Sequence, residues 1–249
     1  MFRFRSSRDT ADTSYLESLS DLLVGFLFIF IILLMAFALA LAQAKQRTDL
    51  IEKDLTNAGE LRAEMLTQIQ QALKRHGIII EIDTRNGIAR LPESLLFDSG
   101  SASFRPGAEQ KLQVLASELS TILPCYASGV SRPRTCPAES RTILDAMFVE
   151  GHTDSTGIYA NNFDLSANRA KAAFFALTND ANLLNRLHND SGTGQPLMSL
   201  SAYGQTRPVA PNNTEDGRRR NRRIDLRFVV GTPRVEDVEH ARETGKLPL

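Results

Sequence analysis

From Leu22 to Ala42 the chain passes through 21 consecutive residues without a charge, and Asp21 stands immediately before them. As a helix rising about 1.5 Å per residue, that run reaches roughly 31 Å, close to the hydrocarbon thickness of a bilayer. We therefore predict a transmembrane helix over residues 21–42. An ionised carboxylate costs about 3 kcal/mol at mid-bilayer and less toward the interface, so such groups normally face a partner helix or a water path. Ion carriage by Asp21 is the expectation that follows. A static alternative stays open, in which Asp21 caps the N-terminus of the helix beside Ser18 and Ser20.

Arg3, Arg5 and Arg8 precede the span together with Asp9, Asp12 and Glu17. Positive residues near a membrane stay on the cytoplasmic side while acidic ones count for little, which predicts a cytoplasmic segment over 1–20. Ala40-Leu41-Ala42 resembles a signal-peptide cleavage site, but signal cores run about 7 to 15 apolar residues, and this one is longer. The expectation is an uncleaved anchor with the rest of the chain outside the cytoplasm. Cys125 and Cys136 fit that compartment, since they flank a proline-rich loop, PCYASGVSRPRTCP, where an oxidising environment favours a disulfide. The 29 basic and 29 acidic residues cancel, which gives no support to direct nucleic-acid binding.

Residues 43–76 read as a helical linker, with Leu61, Met65, Ile69 and Leu73 spaced every four residues. So narrow an apolar stripe predicts pairing with a second copy or with a partner. At Ile78 the period changes to two, and Asn86-Gly87 marks a hairpin into Ile88 to Leu91. Arg105-Pro106-Gly107 opens a helix ending before Pro124, with Pro106 in its first turn. Strands are expected at 146–150, 197–203 and 224–230, and a second helix at about 161–176. Strands alternating with helices describe a two-layer α/β sandwich over 77–231, an α+β fold overall. The charged tail, 232–249, carries no strong signal.

The segment Gly151 to Gly157, GHTDSTG, leaves a predicted strand as a polar loop, and such loops often bind ligands. Ser166 and Arg169 follow on the next helix, and Asn221-Arg222-Arg223 leads into the last strand. A carboxylate at Asp154 suits an ammonium, while Arg169 and Arg222 suit a carboxylate through paired guanidinium hydrogen bonds. The implied ligand is a zwitterion. Against this stands a plain salt bridge between Asp154 and Arg169. For Arg223 the preferred reading is a solvated strand residue. His152 has no other histidine or cysteine at metal spacing and reads as a packed or hydrogen-bonding residue, so neither metal nor cofactor is expected. Glu150 and Asp154 sit on one short segment with no accompanying nucleophile, which argues against a hydrolase.

GHTDSTG, Asn162, LSANRA from Leu165 to Ala170, AYGQTRPVAPN from Ala202 to Asn212 and NRRIDL from Asn221 to Leu226 together resemble the OmpA/MotB-type peptidoglycan-binding domain over roughly residues 78–230. The resemblance implies that Asp154 and Arg169 hold the diaminopimelate of the stem peptide. It also implies that Asn162 and Arg222 line the site, with Thr153, Leu165 and Ser166 near it. The anchor, early aspartate, linker and domain are similar to the B subunit of flagellar-type stators. The linker runs almost directly into the first strand, and tryptophan is absent. In these respects the chain is more similar to the B subunit of the Zorya anti-phage defence system, and a flagellar or TonB-linked stator is the alternative. What this implies is a single-pass protein of the bacterial inner membrane with a periplasmic C-terminal domain. It would form a homodimer inside a pentameric ring of an A subunit, conduct protons through Asp21 and act indirectly on cytoplasmic defence effectors.

Overall fold

The computed structural model describes residues 7–138, 140–179, 183–190 and 194–231, with side chains given for 18–53 and, within those ranges, from 55 onward. Arg3, Arg5 and the tail 232–249 lie outside the described residues. Two compact units emerge, Met1–Lys53 and Asp54–Leu249.

The described residues of the first unit belong to one helix, α1 (Ser7–Arg75). Its most apolar 18-residue window has a mean hydropathy of 3.2, and none of that window is buried within the chain. Phe26, Phe28, Ile32, Leu33 and Phe37 all stand exposed. So apolar and unpartnered a surface suits lipid rather than water. Asp21 lies well inside α1 and not at its start. The capping expectation is thereby corrected, because a residue in a helix interior meets no orphan N–H group to cap.

In the second unit the end of α1 belongs to the domain core. Met65, Leu66, Ile69 and Leu73 are buried in one cluster with the sheet and the other helices, and Gln70 donates to the Ile80 carbonyl at 3.0 Å. The stripe predicted to seek a second copy is thus satisfied within its own chain, and burial of each large side chain is worth about 1.5–3 kcal/mol.

The sheet is built from β1 (Glu81–Asp83), β2 (Ile88–Pro92), β3 (Leu144–His152), β4 (Met198–Gly204) and β5 (Arg223–Val230), in the order β1-β2-β5-β3-β4. All pairings are antiparallel except β3 with β4. The strands alternate cleanly. Ala89, Leu91, Met147, Val149, Ile224, Leu226 and Phe228 enter the core beside the helices, whereas Arg90, Glu150, His152, Arg223, Asp225 and Arg227 project from the opposite face. The covering helices are α3 (Ala108–Ile122) and α4 (Tyr159–Thr178). Pro106 lies before the helix, whose cap is Gly107 at φ 82°, not in its first turn. Short helices α2 (Glu93–Leu96) and α5 (Glu215–Asn221) complete the domain. The expected bond joins Cys125 to Cys136, and Arg132 braces the loop it closes by donating to the Cys125 carbonyl at 3.0 Å and to Ser140 Oγ at 2.6 Å. Closing a loop of this length stabilises a fold by about 3 kcal/mol in the chain-entropy account.

Candidate functional site

Where β3 ends, the chain must turn beneath α4, and the sequence permits this at Gly151. A Cβ there would stand 2.0 Å from the Ser166 carbonyl oxygen, so α4 packs against the strand only because residue 151 has no side chain. Ser166 fixes the same junction, accepting from the Gly204 N–H at 2.9 Å and donating to the Phe163 carbonyl at 2.7 Å. The loop that follows is clasped by Asn162, whose amide donates to the Thr156 carbonyl at 2.9 Å and to Gln205 Oε1 at 2.8 Å. A second clasp is Asn221, at the end of α5. It accepts from the Val209 and Ala210 N–H groups at 2.8 and 3.1 Å and donates to Asn212 Oδ1 at 2.8 Å. The motif segments 151–157, 202–212 and 221–226 are therefore held together by buried asparagines.

Between them lies a cavity of about 640 Å³ lined by Thr153, Asp154, Asn162, Leu165, Arg169 and Arg222, together with Glu93, Ser99, Gly100, Thr156, Glu215 and Arg218. Six of the seven residues expected at the site meet here. Ser166 does not, being spent on the contact between α4 and β4.

The pairing inside the cavity is not the Asp154–Arg169 salt bridge weighed as the alternative to ligand contact. Asp154 is bound not to Arg169 but to Arg222, whose Nη1 lies 2.6 Å from Oδ2. Arg169 instead pairs with Glu93, and it also donates through Nε to the Ser101 carbonyl at 2.7 Å and through Nη2 to the Asp98 carbonyl at 3.2 Å. Its guanidinium sits 5.4 Å from the Phe97 ring centroid, and only 1% of the residue is exposed. Glu93 joins the two pairs, since its other oxygen accepts from Arg222 Nε at 2.6 Å. Arg222 reaches Glu215 as well, at 3.2 Å. Burial pushes the Asp154 carboxyl up, but hydrogen bonds from Arg222 and from the Thr156 N–H outweigh it and hold the group below the ordinary carboxylate range. The buried Thr153 Oγ1 has no hydrogen-bond partner among the described residues.

Glu93 escaped the sequence reading. It follows a proline in an unremarkable LPES stretch, and its partners lie 76 and 129 residues away. The available signal was the end of β2, whose last pair, Pro92 with Arg223, places the next residue opposite Arg222.

Arg223 is also corrected: it is buried rather than solvated, with Nε 3.1 and 3.0 Å from the two Asp225 oxygens. On that face His152 stacks on Tyr203 with ring centroids 5.3 Å apart, its Nε2 3.5 Å from Asp225 and 3.8 Å from Glu150. Donor atoms of Glu150, His152 and Asp225 lie within 4.8 Å of one another. Both carboxylates already serve arginines, however, Glu150 accepting from Arg227 at 2.8 and 2.9 Å. Burial disfavours the charged Glu150, yet His152 and Arg227 beside it draw the carboxyl down to about 2. Glu150 and Asp154 thus face different surroundings and do not form an acid pair.

Residues 138–222 match the OmpA family model. The chain is 24% identical over 166 residues to motility protein B of Helicobacter pylori (strain J99), an overlap of 65% of this chain and 53% of that protein. Over 77 residues it is 42% identical to outer membrane porin F of Pseudomonas aeruginosa, 31% of this chain and 19% of the porin. The crystal structure of the periplasmic domain of Helicobacter pylori MotB aligns with 67% of this chain and 98% of its own, at 20% identity and a TM-score of 0.44. The chain spans about half the length of the motility proteins it matches.

Proposed function

On the premise that this chain carries an OmpA-family domain and is similar to motility protein B, we propose that it is a membrane-anchored, peptidoglycan-binding stator subunit. The observation that carries the reading is the cavity that Asp154, Arg169 and Arg222 line together. Such a site matches a zwitterion, and the diaminopimelate of a stem peptide offers an ammonium beside a carboxylate. Asp154 takes the ammonium and the arginines take the carboxylate. Thr153 and Leu165 shape the walls, while Asn162 and Ser166 hold the loop and helix that carry them. Asp154→Ala and Arg222→Ala should each weaken co-sedimentation of the detergent-solubilised chain with purified sacculi by about tenfold or more. Undiminished sedimentation of both would end the reading.

The anchor half of the proposal concerns Asp21. In a single-pass inner-membrane protein with a cytoplasmic N-terminus, a dimer of this chain inside a ring of an A subunit gives Asp21 a partner surface and a water path. Proton passage across 100 mV is then worth about 2.3 kcal/mol per charge. The sequence resemblance to Zorya B subunits favours a defence role, in which motion of the partner reaches cytoplasmic effectors. Asp21→Asn should abolish proton flux in vesicles reconstituted with the neighbouring A-type subunit while leaving the complex assembled. Flux at the unaltered rate would exclude Asp21 as the carrier.

A further inference from the structure

One carboxylate in the cavity already performs the task assigned to the ligand's. Glu93 places one oxygen on Arg169 Nη2 and the other 2.6 Å from Arg222 Nε, so it spans two guanidinium groups as a bound carboxylate would. Its main chain is fixed at both ends of the residue. The N–H donates to the Arg222 carbonyl at 3.0 Å, and the carbonyl accepts from the Phe97 N–H at 2.8 Å. The side chain alone is left to move. Asp154 mirrors it on the other side of Arg222, at 2.6 Å from Nη1.

We propose that Glu93 is an internal stand-in for the ligand carboxylate and sets the affinity of this site, an inference that rests on reading the cavity as a site for a zwitterionic residue. A free site of this kind is neutralised by its own side chains. Binding is then an exchange of ion pairs: the ligand carboxylate displaces Glu93 from the arginines, and the ligand ammonium joins Asp154 as Arg222 is drawn away. The cost of leaving a buried guanidinium unpaired keeps Glu93 in place until a matching carboxylate arrives. A neutral or amidated ligand cannot make the exchange, so the same contact confers selectivity. Were Glu93 only a clamp that orients Arg169, its removal would weaken binding instead.

Two measurements on the full chain in detergent separate these. Glu93→Ala opens room for a small anion, and acetate should raise its thermal unfolding temperature, followed by circular dichroism, relative to chloride at equal ionic strength. The wild-type chain should show no such difference. Glu93→Gln keeps the shape and removes the charge, and it should sediment with sacculi about tenfold more tightly than wild type. The proposal is overturned by an absent acetate effect on Glu93→Ala, or by a Glu93→Gln chain that sediments no better than a wild type that does sediment. A wild type that fails to sediment while acetate rescues Glu93→Ala would sink the wall-binding reading and leave the assignment of Glu93 standing.

Discussion

Two charged clusters lie within a few residues of one another along the sequence yet have opposite fates. Arg222 and Asp154 open onto the cavity, where Arg222 keeps 19% of its side chain exposed. Arg223 and His152, one and two residues away, are sealed on the far face of the sheet with Asp225 and Glu150 at 5% exposure or less. The strand period of two puts Glu150, His152, Arg223 and Asp225 on one face, whereas Asp154, in the loop after β3, and Arg222, at the C-cap of α5, lie just beyond the strands. The open cluster contains a carboxylate shared between two arginines and a cavity large enough for a ligand. In the sealed one each acid is matched to its own arginine, Glu150 to Arg227 and Asp225 to Arg223. Similar side chains are therefore left open to a ligand in one place and committed to architecture in the other, and access to solvent is what separates them.

The sharpest way to break this comparison is to remove a partner from the sealed cluster. Arg223→Ala takes from the buried Asp225 its hydrogen-bonded arginine and leaves it Arg90 at 4.0 Å as its nearest arginine, a loss expected to cost about 3–5 kcal/mol in chemical denaturation, with sacculus binding unchanged wherever the chain remains folded. A loss of binding larger than the loss of stability would mean that the two clusters are one site. Gly151→Ala comes next. Its Cβ meets the Ser166 carbonyl oxygen, so α4 must shift, at an expected cost of about 1–3 kcal/mol. Because α4 carries both Asn162 and Arg169, sacculus binding should fall with stability, unlike the Arg223 variant. Full binding in a destabilised Gly151→Ala chain would show that the cavity does not depend on that packing.

How much of this was visible in the chain itself follows from the range of each interaction. Local periodicity announced the three long helices and the three long strands, because alternation and four-residue spacing are written within a few residues, but not the short α2 and α5, and the motif segments marked part of the cavity walls. What periodicity could not supply was the pairing. Asp154 and Arg169 could be placed at one site from their spacing on adjoining elements, whereas the residues that pair with them, Arg222 and Glu93, flank β5 and β2 and reach the site only after those strands pair. The same blindness made Arg223 look solvated and the stripe on α1 look unpartnered. In each case the missing information was which distant surface arrives, and a one-dimensional pattern does not carry it.

The smallest expected effect tests the sealing itself. Burial pushes the His152 imidazole below its ordinary value near 6.5, against the pull of Glu150 and Asp225 and with the repulsion of Arg223. A group whose folded value is depressed binds its proton more readily when the chain is unfolded, so its contribution is present above about pH 6.5 and is lost as the pH falls toward the folded value. Glu150 acts lower, between its ordinary 4.5 and about 2, and Asp225, which burial raises from 3.8, has the opposite sign. Denaturation between pH 7.5 and 5.5 should therefore show stability declining toward acid, and His152→Phe, which keeps a ring against Tyr203, should flatten that decline. An undiminished slope in His152→Phe would assign it to other groups and imply that His152 titrates freely, in contact with water. The division between an open and a sealed cluster would then fail at the residue on which it is most exposed to test.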